Sequence, residues 1–286
     1  MKIVNSLVLF SLSALPSAPL LAQTQIGGGT CNSASVNGTY AVSITGRKVS
    51  SAGTFTNVFQ AIGTATFDGQ SKVGFALTSD TNQAVATQLN WSGIYSMQAN
   101  CAGAVTITTG GSVTLNLVAY ARGVGFLLTG GDAIYAYSGS GDNQPTTCST
   151  ATLSGVYTVN ATGFLLASNA VSGAGSGAGL LQFDGQGRLT VNFTLSATGA
   201  AANVLTLTGS YTGGSNCLGS ATLTDSKGNS YVMRISINNG TAAASSAFYV
   251  TLAQSSTFIL LGNAHAIYGQ PTAMAATHRH VRGARA

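Results

Sequence analysis

Few residues in this 286-residue chain could do acid–base or nucleophilic work. Its only acids are Asp68, Asp80, Asp132, Asp142, Asp184 and Asp225, and there is no Glu. A carboxylate pair works as acid and base only when both groups share a cleft and their pKa values are driven apart. Asp68, Asp184 and Asp225 lie in turn sequences, Asp142 in a Gly- and Ser-rich connection, Asp80 at a strand end and Asp132 beside Gly130-Gly131. Turn chemistry accounts for most of them, because an Asp side chain bonds its own backbone two residues on. His265 is the single imidazole of the body, and His278 and His280 belong to the last ten residues. A Ser or Cys nucleophile would need that imidazole as its base, and no G-x-S-x-G elbow is present. Two histidines on a terminal tail do not make a metal site. The sequence therefore assigns no catalytic residue, no metal ligand and no cofactor, and leans away from an enzyme.

The remaining reactive groups are Cys31, Cys101, Cys148 and Cys217. No pair has C-x-x-C spacing, and no His stands at zinc-finger distance. An even number of cysteines without metal spacing reads as disulfides formed in an oxidising compartment. The N-terminus agrees: Lys2, an apolar run to Leu15 and small residues at Ala18 and Ala22 have the form of a secretory leader, expected over residues 1–22. The run is shorter than the ~20 residues of a spanning helix. Secretion, or a periplasmic or cell-surface location, follows as the expectation.

The net charge of +5 is unevenly placed. With Lys2 in the leader and Arg279, Arg282 and Arg285 in an expected flexible tail (271–286), seven basic residues face six Asp. Phosphate binding needs clustered cations, so nucleic acid is not an expected partner.

Two stretches of the chain match each other in order. Cys31–Tyr40 (CNSASVNGTY) and Cys148–Tyr157 (CSTATLSGVY) share C-x6-G-x-Y, 117 residues apart. Phe67-Asp68-Gly69-Gln70 recurs as Phe183-Asp184-Gly185-Gln186, and G-x-Y-x5-C-x-G recurs at Gly93 and Gly209, each 116 apart. These blocks predict two copies, 31–147 and 148–270, joined by a turn-rich linker at Gly139–Pro145. Four cysteines allow three connectivities; duplication selects one bridge per copy, Cys31–Cys101 and Cys148–Cys217. Aligning Phe126 with Phe258 puts Ala264 opposite Asp132, so no duplicated carboxylate site is evident.

Both copies show alternation of apolar and small polar residues, the period of a strand with one buried face: Tyr40, Val42 and Ile44; Val113, Leu115 and Leu117; Leu189, Val191, Phe193 and Leu195. Asp68-Gly69 and Asp184-Gly185 are two-residue hairpin signals. The glycines of Gly173–Gly179 fall on alternate positions, which suits a mobile loop or a strand closely approached by another. About eight strands per copy predict an all-β fold of two tandem antiparallel meander barrels, closure removing exposed edges. Two β-sandwiches are the alternative.

These blocks resemble those of a group of uncharacterised exported bacterial β-proteins with the same order of Cys, Gly-x-Tyr strand, Phe-Asp-Gly hairpin and second Cys. That resemblance implies secretion and a β meander, and brings no activity with it. The expected function is an exported non-enzymatic structural or binding module. A barrel for a small apolar ligand, lipocalin- or avidin-like, is the alternative, with Trp91, Tyr95, Tyr211 and His265 as ligand-binding candidates. Phe67, Tyr135, Tyr137 and Tyr268 are further aromatics that could line a pocket or simply fill the core. A barrel isomerase or cyclase would draw on His265 and Asp132, and a transmembrane barrel is a further reading of the low charge.

Overall fold

The computed structural model describes residues 30–267 except 52, 54, 121, 122, 199, 241–243, 255 and 256. The expected leader, the basic tail with its two histidines and Tyr268 lie outside the described residues. The first eight strands are β1 (Asn37–Val49), β2 (Phe55–Asp68), β3 (Lys72–Thr81), β4 (Thr87–Met97), β5 (Ala102–Thr109), β6 (Val113–Tyr120), β7 (Gly125–Gly131) and β8 (Ala136–Asn143). Then come β9 (Ser154–Ala167), β10 (Ala170–Asp184), β11 (Arg188–Ala197), β12 (Ala200–Gly213), β13 (Leu218–Thr224), β14 (Ser230–Gly240), β15 (Ser245–Gln254) and β16 (Phe258–Ala266). Each set pairs consecutively and antiparallel. β1 also pairs with β8, and β9 with β16, which closes two barrels rather than two sandwiches.

Alternation sets the inside of each barrel. In β6, Val113, Leu115 and Leu117 are buried while Thr114 and Asn116 are exposed, and β11 follows the same rule with Leu189, Val191, Phe193 and Leu195 inside. The outward face of β6 also carries Val118 and Tyr120, but an interior filled with apolar side chains is the reverse of the polar lumen of a transmembrane barrel. Among the described residues no helix is long and apolar enough to cross a membrane.

Two local expectations change, and of the two readings of the glycine run the closely approached strand holds. Residues 139–143 belong to β8 rather than to a linker, so Asp142 is a strand residue paired with Ala41 and Gly125. The Asp-Gly turns are longer than two residues: Asp68 Oδ1 accepts from the backbone N–H of Gln70, Ser71 and Lys72 at 2.8–2.9 Å, and Asp184 Oδ1 from Gln186 and Arg188. The alternating glycines lie within β10 on its inward side, where the Phe193 ring occupies the place a side chain on Gly177 would take.

The exterior is not uniformly bland. In β2, Val58–Gly63 is buried on both faces, and so is Ala247–Ala253 in β15. The outward residues of these runs pack between the barrels: Ala41 and Ile62 with Tyr249, and Val58 with Phe164, Leu166 and Ile259. Polar bonds cross the same seam, from Ser236 Oγ to Gly63 O (2.8 Å), Gln60 Nε2 to Thr162 O (3.1 Å) and Asn82 Nδ2 to Asn169 O (2.9 Å).

Candidate functional site

The two Gly-x-Tyr motifs and the cysteines build one end of each barrel. After Cys31 the chain makes a 3-10 turn (Ser33–Ser35), and after Cys148 another (Thr150–Thr152). Cys31 is bonded to Cys101 and Cys148 to Cys217, as duplication selected. Gly38 and Gly155 take φ of +105° and +98° where the chain swings from the turn into the first strand, a conformation that disfavours a side chain. Tyr95 donates its hydroxyl to Ser33 O (2.9 Å) and Val36 O (3.0 Å); Tyr211 donates to Thr150 O (3.1 Å) and Leu153 O (2.6 Å). Tyr40 and Tyr157 stand beside them, bonded to Gly123 O and Ser245 O. Burial raises the hydroxyl pKa of both Tyr95 and Tyr211, with Asp68 and Asp184 adding to it. Both thus remain neutral donors, spent on the backbone of the capping turn.

The other end of the first barrel is different. Gly46 of β1 pairs with Phe59 on one side and Tyr137 on the other, and both rings turn inward with Trp91 of β4. Phe59 and Trp91 lie near-parallel with centroids 6.3 Å apart, Phe59 meets Tyr137 edge-on at 5.5 Å, and Trp91 meets Tyr137 at 5.9 Å. Tyr135, half-buried, stands 5.8 Å from Phe59 and 5.7 Å from Tyr137. Together they form an open cup of about 260 Å³, whose lip carries Ser79, Thr81, Thr87, the Gly110-Gly111 turn and Asp132. Asp132 is fixed there by its own turn: Oδ1 accepts from the N–H of Ile134 (2.6 Å) and Tyr135 (2.7 Å), and Oδ2 from the Tyr137 hydroxyl (2.7 Å). Burial, then the bond to Asp132, raises the Tyr137 pKa far above that of a free phenol.

The second barrel follows the same register with other side chains. Gly163 pairs with Gly175 and Leu260, so these stand where Phe59 and Tyr137 stand. Leu207 pairs with Val191 as Trp91 pairs with Phe75. Leu252 pairs with Leu260 as Gly130 pairs with Tyr137, which sets Gln254 opposite Asp132. This corrects the alignment of Phe126 with Phe258. Phe126 corresponds to Phe248, each packed on the equivalent Tyr and Phe of its own barrel. The space remaining among Val159, Leu181, Phe193, Met233 and Leu252 is about 10 Å³, hardly room for one water.

His265 points outward from β16 and lines a pocket of about 270 Å³ between the barrels with Asp142, Asn143, Asn238 and Ser246. Asp142 is occupied at the seam, accepting from Tyr120, from Tyr249 (2.5 Å) and from Asn238 Nδ2 (3.3 Å). His265 and Asp132 line different cavities, so an isomerase site built from that pair is not assembled. Asp80 is also buried at the seam. Desolvation raises its pKa against the opposing influence of the Ala86 N–H, Arg234 and Thr251. Among the described residues no cluster of three His, Cys or Asp could hold a metal ion.

Of the four ligand-binding candidates, Trp91 stands in the cup, Tyr95 and Tyr211 at the capped ends, and His265 between the barrels. Phe59, unremarked in the sequence, completes the cup. No family model matches the chain, and no curated protein does. Among solved structures it is similar to a Nitrosomonas europaea protein whose crystal structure carries the name AttH, at 10% identity over 80% of this chain and 92% of that one, with a TM-score of 0.23. That likeness adds nothing to the reading of the site.

Proposed function

We propose that the chain is an exported, non-catalytic binding module that holds one small ligand in the mouth of its first barrel. One observation carries the reading: two barrels of the same register are finished differently at one place. Gly175, Leu207 and Leu260 occupy in the second barrel the positions that Phe59, Trp91 and Tyr137 occupy in the first. Small and aliphatic residues are therefore compatible with closing this fold, and barrel closure alone does not call for an aromatic cluster. A concave aromatic surface with a few convergent polar groups is the usual form of a small-molecule site. Export is supported by the leader-like N-terminus and by two disulfides, which persist in oxidising compartments. The matched motifs support duplication of one barrel. In this reading the second, filled copy braces the first across the seam.

Native mass spectrometry on protein recovered from the periplasm or the culture fluid tests the proposal. The expected result is one small non-covalent adduct per chain, absent from the Trp91→Leu variant. An adduct that persists in that variant, or protein that carries and takes up no small molecule, overturns it.

A further inference from the structure

We infer that the ligand of the first-barrel cup is a small organic cation whose charge is carried by an alkylated ammonium group. The inference rests on the binding reading above and adds the ligand's chemistry. Phe59, Trp91, Tyr135 and Tyr137 bring four π systems to one concavity, with neighbouring centroids 5.5 to 6.3 Å apart. The face of an aromatic ring carries negative potential and attracts a cation, and Trp and Tyr rank above Phe in this. Asp132 adds a carboxylate at the lip, and among the described residues no Lys, Arg or His lines the cup.

The hydrogen bonds around Asp132 support the same sign. Its carboxylate accepts from two backbone N–H groups and the Tyr137 hydroxyl, which hold it at the lip beside the rings. A phenol donating to a carboxylate gains electron density in its ring, so Tyr137 presents a more negative face than an unbonded tyrosine. An anionic ligand would meet both the rings and Asp132 with the wrong charge.

Alkylation follows from what the cup lacks. A primary ammonium leaves water only for several good acceptors, whereas Asp132 already serves three donors, Thr81 Oγ1 already accepts from the N–H of Gln83 and Ala84, and Ser79 Oγ is engaged with Thr87 O. A methylated nitrogen sheds its weaker hydration easily and spreads its charge over carbon, which aromatic cages are suited to receive. The cavity of about 260 Å³ is below the range of drug-sized pockets, roughly 300–1,000 Å³, and so fits a headgroup rather than an extended molecule. In the second barrel Leu207, Leu260 and Gln254 replace two of the rings and the acid, so binding is one per chain.

Trp91 is the single tryptophan of the chain, so its emission reports on the cup directly. The test titrates the full mature protein with choline and with 3,3-dimethyl-1-butanol, its neutral isostere, following Trp91 fluorescence and calorimetry. Choline is expected to bind one per chain and about tenfold more tightly than the isostere. Asp132→Asn keeps an oxygen for the turn and should remove most of that preference, leaving the isostere unaffected. Trp91→Leu, which installs the second barrel's residue, should abolish binding while circular dichroism remains native. Equal affinity for the two compounds overturns the cationic assignment and leaves the binding proposal standing. Binding of neither, in protein whose spectrum is native, also overturns the cationic assignment, while the binding reading is decided separately by the native-mass adduct.

Discussion

The bridge between Cys148 and Cys217 spans 69 residues, and its removal tests whether the second barrel depends on that staple. In the chain-entropy account, closing a loop of this length removes about 15 cal/mol/K from the unfolded chain, about 4.4 kcal/mol at 25 °C. The barrel covers residues 154–266, and unfolding entropy near 60 °C is about 2.1 cal/mol/K per residue, or about 0.24 kcal/mol/K for this barrel. Cys148→Ser combined with Cys217→Ser should therefore lower its melting temperature by about 18 °C if it melts alone. The seam between the barrels is packed with apolar side chains, and if both melt as one unit the entropy doubles and the shift falls to about 9 °C. Differential scanning calorimetry separates these cases by the number of transitions. A double-serine protein with a native spectrum and a shift below about 3 °C would refute the reasoning in either case.

Tyr211→Phe removes a hydroxyl bonded to two carbonyls of the capping turn, and a loss of about 1–3 kcal/mol is expected in urea denaturation; Tyr95→Phe should match it, since the first barrel has the same arrangement. Tyr249→Phe withdraws a charge-assisted bond from Asp142 at the seam and should cost about 1.5–3 kcal/mol, read from the urea midpoint. Asp80 has a raised native pKa, so its favourable contribution is complete below the unfolded value of 3.8 and is lost as pH rises through the native one. Asp80→Asn should therefore compare better with the parent at pH 7 than at pH 3 in thermal melts; a pH-independent difference would contradict the raised value. Asp225 is shifted the other way, to about 2, chiefly by the Asn229 side chain. Its contribution is present above 3.8 and lost as pH falls towards 2, so Asp225→Asn should flatten the acid limb of stability against pH over that window.

Much of the architecture was readable because inward and outward residues alternate without exception in strands such as β6 and β11. The docking of the barrels was not. A run such as Val58-Phe59-Gln60-Ala61-Ile62-Gly63 carries apolar residues on both faces, with Gln60 the one polar side chain among them, and the pattern is the same whether the second face meets its own barrel or a neighbour. The cup was half legible. Trp91, Tyr135 and Tyr137 stand out as aromatics, yet Tyr95 has the same inward periodicity as Trp91 and lies at the opposite end. Alternation reports which side of a sheet a residue takes and says nothing of its height along the barrel. The correspondence of Phe126 with Phe248 was hidden by extra residues in the second barrel. The offset between equivalent positions of the two barrels grows from 116 at Cys101 and Cys217 to 122 there, and no motif marks the change. Asp142 was masked by its Gly- and Ser-rich surroundings, which read as a connection and form a strand instead.

Closure by β1 on β8, and by β9 on β16, has a consequence for how the chain acquires its shape. Tyr40 stands opposite Asn143, and Tyr157 opposite Ala266, in the closing ladders, so the opening strand of each barrel waits for the last one before its second ladder can form. A chain threaded N-terminus first through a narrow channel would hold that ladder open for about a hundred residues of travel, and slow, non-local pairing is the rule for such topologies. Until then the strand offers its unpaired edge to any neighbour, which makes the interval between emergence and closure the period when this molecule is most open to capture by a chaperone or by another copy of itself.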